Sequence, residues 1–140
     1  MSVLKLIIVA LDCSETSDQL IETLNILSLQ PQTKLILAHV LPSPESDGEL
    51  EADRPHQSAA ALYQAMEKQL QAYQAQLPNS EIELVAGDAA EEIVRLANIY
   101  QADLIVIGTR GLRGVKRVIE GSVSSQVASD ATCSVLVVKR

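Results

Sequence analysis

Short apolar runs recur along the chain, and they predict β-strands buried on both faces of a parallel sheet, because they are apolar at consecutive positions. Three such runs lie at Lys5–Leu11, Lys34–Leu41 and Asp103–Ile107. The segment Glu81–Ala86 alternates polar and apolar residues, which predicts a strand nearer the sheet edge with one face in water. A last hydrophobic strand, Ser134–Val138, is also expected at a sheet edge.

Between these strands, apolar residues return every three or four positions, as on the buried face of a helix. Asp88 precedes one of these segments and can cap it. Helices are expected from the Asp12–Ser14 cap to Pro31, and over Gln57–Leu77, Ala89–Tyr100 and Ser122–Ser129. The residues expected to face inward are Leu20, Ile21, Leu24, Leu27, Leu62, Met66, Leu70, Tyr73, Ile93, Val94 and Ala97.

Strands that alternate with helices over the whole length predict one α/β domain over residues 1–140. Right-handed crossovers then give an open five-stranded parallel sheet with helices on both faces, a Rossmann-like arrangement. In such sheets a ligand binds beyond the carboxyl ends of the strands, where the strand order reverses. The candidates for this edge are Asp12 after the first strand, His39 and Val40 at the end of the second, and the segment from Gly108 onward after the fourth.

The charge distribution limits the classes of ligand. The net charge of -7 argues against non-specific nucleic-acid binding, because the average surface repels phosphates. Residues 108–121 nevertheless carry Arg110, Arg113, Lys116 and Arg117 against Glu120, a local excess of about three positive charges. A basic segment on an acidic protein suggests a small anionic ligand.

The cysteines and the apolar runs bear on the compartment. Cys13 and Cys133 lie far apart and lack a zinc-ligand spacing, so both are interpreted as small buried hydrophobes. No apolar stretch is long enough for a membrane span, and the first residues carry no cleavage site of a signal peptide. A cytoplasmic protein without a metal site is expected, apart from a magnesium ion that Asp12 can help to hold.

Glycines punctuate the segment after the fourth strand. Gly108 and Gly111 allow a sharp turn and a close approach of backbone amides to a ligand. Gly121 and Ser122 open a helix, whose amino end attracts anions, so the segment is a candidate phosphate cradle. The alternative is an ordinary turn followed by a helix start. Neither a P-loop nor a dinucleotide fingerprint occurs.

This spacing carries a family resemblance. Gly108-x-x-Gly111, nine residues and then Gly121-Ser122 resemble the signature of the ATP-binding branch of universal stress proteins, which have an adenine nucleotide alpha hydrolase-like fold. The end of the first strand at Asp12, the Ala-His39-Val40 sequence and Gly87-Asp88 before a helix are also similar, so the resemblance covers nearly the whole chain.

The resemblance implies ATP or AMP binding and a role for each matching residue. Asp12 would accept hydrogen bonds from the ribose hydroxyls, the Val40 backbone would meet the adenine edge, and Ala10 and Ile107 would form an apolar floor under the base. His39 is interpreted as a hydrogen-bonded histidine at a strand end, without a part in the chemistry. The candidate nucleotide-binding residues are Ala10, Leu11, Asp12, His39, Val40, Ile107, Gly108, Arg110, Gly111, Arg113, Gly114, Gly121, Ser122, Val123 and Ser124.

Three functions are compatible with these residues. The first is a regulatory module that changes its surface or assembly when it binds an adenine nucleotide. The second is an enzyme, at most a slow ATP hydrolase, because no nucleophile and base pair and no nucleotidyl-transferase or ATP-pyrophosphatase motif occurs. The third is a ligand-free dimer, since the family pairs its last strand across a two-fold axis; here that strand contains Val135, Leu136, Val137 and Val138.

Overall fold

The computed structural model describes residues 4–12, 16–27, 29–41, 59–108 and 122–139. The strands are β1 (Leu6–Ala10), β2 (Lys34–Leu41), β3 (Ser80–Ala86), β4 (Leu104–Gly108) and β5 (Ser134–Val138). The helices are α1 (Thr16–Ile26), α2 (Ala59–Gln76), α3 (Ala89–Tyr100) and α4 (Ser122–Asp130). The predicted order of strands and helices is confirmed.

All five strands form one parallel sheet in the order β3-β2-β1-β4-β5. The predicted open parallel sheet is therefore confirmed, with β3 and β5 at its edges. The chain first moves outward from β1 to β3 and then returns to place β4 on the other side of β1. The strand order reverses between β1 and β4, where a crevice is expected at the carboxyl edge.

The sheet separates two apolar layers, because successive side chains of a strand point to opposite faces. Ile7 and Val9 face α1 and α2, whereas Ile8 and the partly buried Ala10 face α3 and α4. Full burial of each large aliphatic side chain contributes about 1.5–3 kcal/mol, so these layers supply most of the favourable free energy of folding. None of the described helices is both long and apolar enough to cross a membrane.

Helix α3 has the bounds that the sequence predicts. The side chain of Asp88 accepts a hydrogen bond from the amide of Glu91 at 3.0 Å, which confirms the predicted cap. Gln101 ends the helix in the left-handed conformation, and the amide of Ala102 donates to the carbonyl of Ala97 at 2.9 Å. Both ends of this helix are therefore hydrogen-bonded.

Three apolar positions differ from the prediction. Leu27 and Leu62 are 37% and 39% exposed, although the helical periodicity places both on inward faces. Leu27 follows the last residue of α1, and Leu62 lies in the first turn of α2, so neither is in the part of its helix that covers the sheet. Cys133 is only partly buried beside the edge strand β5, and burial raises the pKa of its thiol.

The polar face of the edge strand β3 is less exposed to solvent than the alternation of polar and apolar residues predicts. Glu81 is exposed and pairs with Lys34 at 2.6 Å. Glu83, on the same face, is half-buried and accepts a hydrogen bond from the hydroxyl of Tyr100 at the end of α3. This hydrogen bond, burial and the charges of Glu83 and Glu81 raise the pKa of Tyr100 to about 12. A helix end thus covers the face that the sequence assigns to water.

Substitution of Tyr100 by Phe is expected to lower the free energy of unfolding by about 1 kcal/mol near neutral pH, because Glu83 loses its donor. An unfolded tyrosine titrates near pH 10, below the folded value of about 12. The extra stability of the wild type is therefore complete below about pH 10 and is lost as the pH rises toward 12. Urea unfolding of both proteins between these pH values measures the difference. Tyr63→Phe, at an exposed position, is the matched control and should unfold like the wild type.

Candidate functional site

The carboxyl ends of β1 and β4 meet at the point where the strand order reverses. Ala10 lies opposite Ile107 on one side and opposite Ala38 on the other. Gly108, the last residue of β4, lies opposite Val138 of β5. The structure therefore brings the predicted residues at the ends of these two strands to one edge, as the switch-point rule requires.

A partly open apolar surface lies at this edge. Ile107 is buried at 5% exposure in the layer that faces α3 and α4, and Ala10 and Val40 are partly buried against the same layer. Ala10 and Ile107, the predicted apolar floor, are thus direct neighbours in the sheet and face the same side. This surface has the chemistry that a flat aromatic base requires.

Polar groups lie near the ends of β1 and β2 at the same edge. The amide of Leu11 donates to the carbonyl of Ala38 at 2.8 Å, which carries the pairing one residue past β1. The half-buried carboxylate residue Asp12 comes next. Nδ1 of His39 lies 2.7 Å from the carbonyl oxygen of Leu11. Because a carbonyl only accepts, Nδ1 carries the proton in this contact, which agrees with the interpretation of His39 as a hydrogen-bonded strand-end residue.

Gly108 has no structural need to be glycine in the described part of the chain. A Cβ atom there would lie 3.8 Å from Cδ2 of Leu20 and 3.9 Å from the carbonyl oxygen of Val138, which are ordinary van der Waals distances. Its φ angle lies outside the positive region that favours glycine, unlike that of Gly87 at +143°. Among the described residues, a side chain at position 108 would therefore fit without a clash, and glycine leaves that space open.

Helix α4 begins at Ser122, and as the crossover between parallel strands β4 and β5 it starts from the carboxyl edge of the sheet. Val123 is half-buried and Ser124 is 4% exposed, so these side chains lie toward the protein interior. The predicted positions Arg110, Gly111, Arg113, Gly114 and Gly121 lie outside the described residues, as do Lys116, Arg117 and Cys13. The side chain of Ser122 is not described either.

Two features of this edge escape prediction from the sequence. Gly87 is expected only as part of a turn, whereas its amide donates to the carbonyl of Leu41 at 2.9 Å and its Cα faces the side chain of Glu92. The contact between His39 and the carbonyl of Leu11 joins residues 28 positions apart. A histidine within an otherwise apolar strand end is the signal that could have found the second feature. Within the described ranges, no group of three or more His, Cys, Asp or Glu residues could hold a metal ion.

The model of the universal stress protein family matches residues 4–139. Universal stress protein Sll1388 of Synechocystis is 27% identical over an alignment of 148 residues, and this alignment covers 95% of this chain and 96% of that protein. Universal stress protein MJ0531 of Methanocaldococcus jannaschii is 48% identical over 58 residues, an alignment that covers 41% of this chain and 34% of the relative.

Solved structures share the fold over nearly the whole chain. Universal stress protein UspA from Lactobacillus plantarum is 27% identical with a TM-score of 0.71, and the match covers 99% of each chain. A universal stress protein in complex with cAMP is 22% identical with a TM-score of 0.69 and 98% coverage of each chain. The Archaeoglobus fulgidus protein in complex with dAMP is 18% identical with a TM-score of 0.61, over 97% of this chain and 98% of that one. Because the family model spans nearly the whole sequence and the fold agrees, the chain belongs to the universal stress protein family.

Proposed function

We propose that this protein binds an adenine nucleotide, ATP or AMP, at the carboxyl edge of β1 and β4, and that binding changes its surface or assembly in a stress response. One observation carries the proposal. The apolar residues Ala10 and Ile107, the carboxylate residue Asp12 and the strand-end glycine Gly108 lie together where the strand order reverses. The cAMP and dAMP complexes of proteins with this fold support an adenine nucleotide as the ligand.

Each part of the nucleotide has a matching group in this proposal. The base lies on Ala10 and Ile107, which face the same side of the sheet. The ribose hydroxyls donate to Asp12, two residues after the end of β1. The phosphates approach the amino end of α4, because the start of a helix and its dipole favour negative charge. Gly108 leaves room for the ribose to cross the end of β4.

The proposed ligand is identified first by denaturing the purified protein and analysing the small molecules that are released. Titration calorimetry with ATP, AMP and cAMP, with and without magnesium, then ranks the nucleotides, and product analysis measures any slow hydrolysis of ATP. Recovery of an adenine nucleotide and saturable binding are expected. The proposal fails if none of the three nucleotides binds at millimolar concentration. We place the protein in the cytoplasm within this proposal, because adenine nucleotides are abundant there.

The basic residues Arg110 and Arg113 are proposed to pair with the β- or γ-phosphate. Their neutralisation to Gln is therefore expected to weaken ATP much more than AMP, because AMP lacks both of these phosphates. Calorimetry of the double variant with the two nucleotides measures the difference. An equal loss for ATP and AMP would contradict a role at the terminal phosphates.

A homodimer through β5 is proposed as the assembly that the nucleotide can influence. This edge strand exposes one row of backbone groups, and Val135, Leu136, Val137 and Val138 are only partly buried, which favours pairing with a second copy. Sedimentation at micromolar concentration should show a species of twice 15.1 kDa. A 15.1 kDa species alone, with and without nucleotide, would exclude this assembly.

A further inference from the structure

The hydrogen-bond ladder between β1 and β2 ends at a side chain. Paired residues run from Leu6 and Lys34 to Ala10 and Ala38, and the amide of Leu11 donates to Ala38 beyond that point. In a regular parallel ladder, the next bond would join the amide of Val40 to the carbonyl of Leu11. Between the described residues of these two strand ends, that backbone bond is absent, and the Leu11 carbonyl accepts from Nδ1 of His39 at 2.7 Å.

The ring of His39 bonds to the Leu11 carbonyl in place of a backbone amide, and this affects the next residue of β2, Val40. Strand β2 continues beside β3 to Leu41, so Val40 stays in the sheet although its pairing with β1 has ended. Bonds from alternate residues of a strand in a parallel sheet go to opposite neighbours. Ala38 bonds toward β1, so the amide of Val40 also points toward the β1 side, at the edge where the apolar floor lies.

We infer that His39 is a positioning residue of the nucleotide site: its ring occupies the Leu11 carbonyl, ends the ladder, and keeps the amide of Val40 available as a donor to the base. This inference rests on the proposed function. The donor suits an acceptor nitrogen on the edge of a purine. The same contact fixes the position of the Leu11 carbonyl, and therefore the position of the backbone that leads directly to Asp12. His39 thus acts through Val40 and Asp12 without touching the nucleotide.

Two substitutions separate the donor from the bulk of the ring. His39→Asn places an amide nitrogen as many bonds from Cβ as Nδ1 and can keep the bond to Leu11, whereas His39→Leu has no donor. His39→Asn is expected to bind AMP within about threefold of the wild type, and His39→Leu about tenfold more weakly, the effect of losing one well-placed hydrogen bond. Equal affinities of the two variants, whether both near the wild type or both reduced, would overturn the inference.

A second measurement needs no ligand. Amide hydrogen exchange in the free protein should be fast at Val40 in the wild type and in His39→Asn, and at least about tenfold slower in His39→Leu, because the amide can then close onto the Leu11 carbonyl. The same slow exchange in the wild type would overturn the inference. If the wild type binds no adenine nucleotide, the proposed function fails, and exchange at Val40 still decides whether His39 ends the ladder.

Discussion

Gly108→Ala is expected to weaken adenine-nucleotide binding by more than about tenfold while the free energy of unfolding stays close to that of the wild type. Among the described residues, the added Cβ lies 3.8 Å from the side chain of Leu20 and 3.9 Å from the carbonyl oxygen of Val138, and the backbone conformation is open to any residue. We therefore expect the methyl group to occupy space that the proposed nucleotide needs. Calorimetry gives the affinity, and urea unfolding without nucleotide gives the stability.

The unfolding midpoint supplies a second readout for this variant. A ligand that binds only the folded state raises the midpoint, so AMP should stabilise the wild type and leave Gly108→Ala nearly unchanged. A variant that binds AMP as tightly as the wild type would show that no nucleotide passes over the end of β4. A variant that unfolds without AMP much earlier than the wild type would show that the glycine serves the fold.

In contrast to Gly108→Ala, Gly87→Ala is expected to lower the stability of the fold, with a loss of about 1–3 kcal/mol in the free energy of unfolding. Its φ angle of +143° is rarely adopted by residues with a Cβ, and the new atom would lie 3.1 Å from Oε2 and 3.2 Å from Cγ of Glu92. Gly87 follows β3 and lies two strands from Ala10 of β1 and three strands from Ile107 of β4. The folded fraction should therefore keep the contacts of these two residues with the base and most of its nucleotide affinity.

A second substitution separates the two causes of this loss of stability, the backbone conformation at Gly87 and the crowding against Glu92. Glu92→Ala removes the crowded side chain but leaves the backbone conformation, so the double variant should recover only part of the lost stability. Since Glu92 also pairs with Arg95 at 2.8 Å, the single variant Glu92→Ala is the necessary reference. A Gly87→Ala protein with the urea midpoint of the wild type would contradict the strain at this turn.

Much of the fold follows from local patterns. The consecutive apolar residues of β1, β2 and β4 identify strands buried on both faces, and both layers of the core contain alternate residues of these strands. The cap at Asp88 is equally local, since one carboxylate needs only the amide of Glu91 three residues later. The exposed Leu27 and Leu62 show the limit of periodicity, which assigns a face to a residue but not the length over which a helix covers the sheet.

The residues of the candidate site also differ in how far the sequence alone identifies them. Asp12 and Gly108 can be found from the sequence, because each directly follows or ends an apolar strand and residues of these types serve nucleotide binding. The family signature at residues 108–122 also needs no structure. The glycines and arginines between 109 and 121 remain a prediction, since they lie outside the described residues.

The sequence by itself determined the order of strands and helices, the parallel α/β class and the strand ends that carry the candidate residues, because these depend on local periodicity and on the handedness of crossovers. Only the tertiary structure decided that His39 replaces a backbone amide at the Leu11 carbonyl and that Tyr100 covers Glu83. Those contacts join residues 28 and 17 positions apart, and they depend on the register of neighbouring strands and on where a helix ends. A one-residue change in either would move the side chains to other partners, and no local pattern encodes that choice.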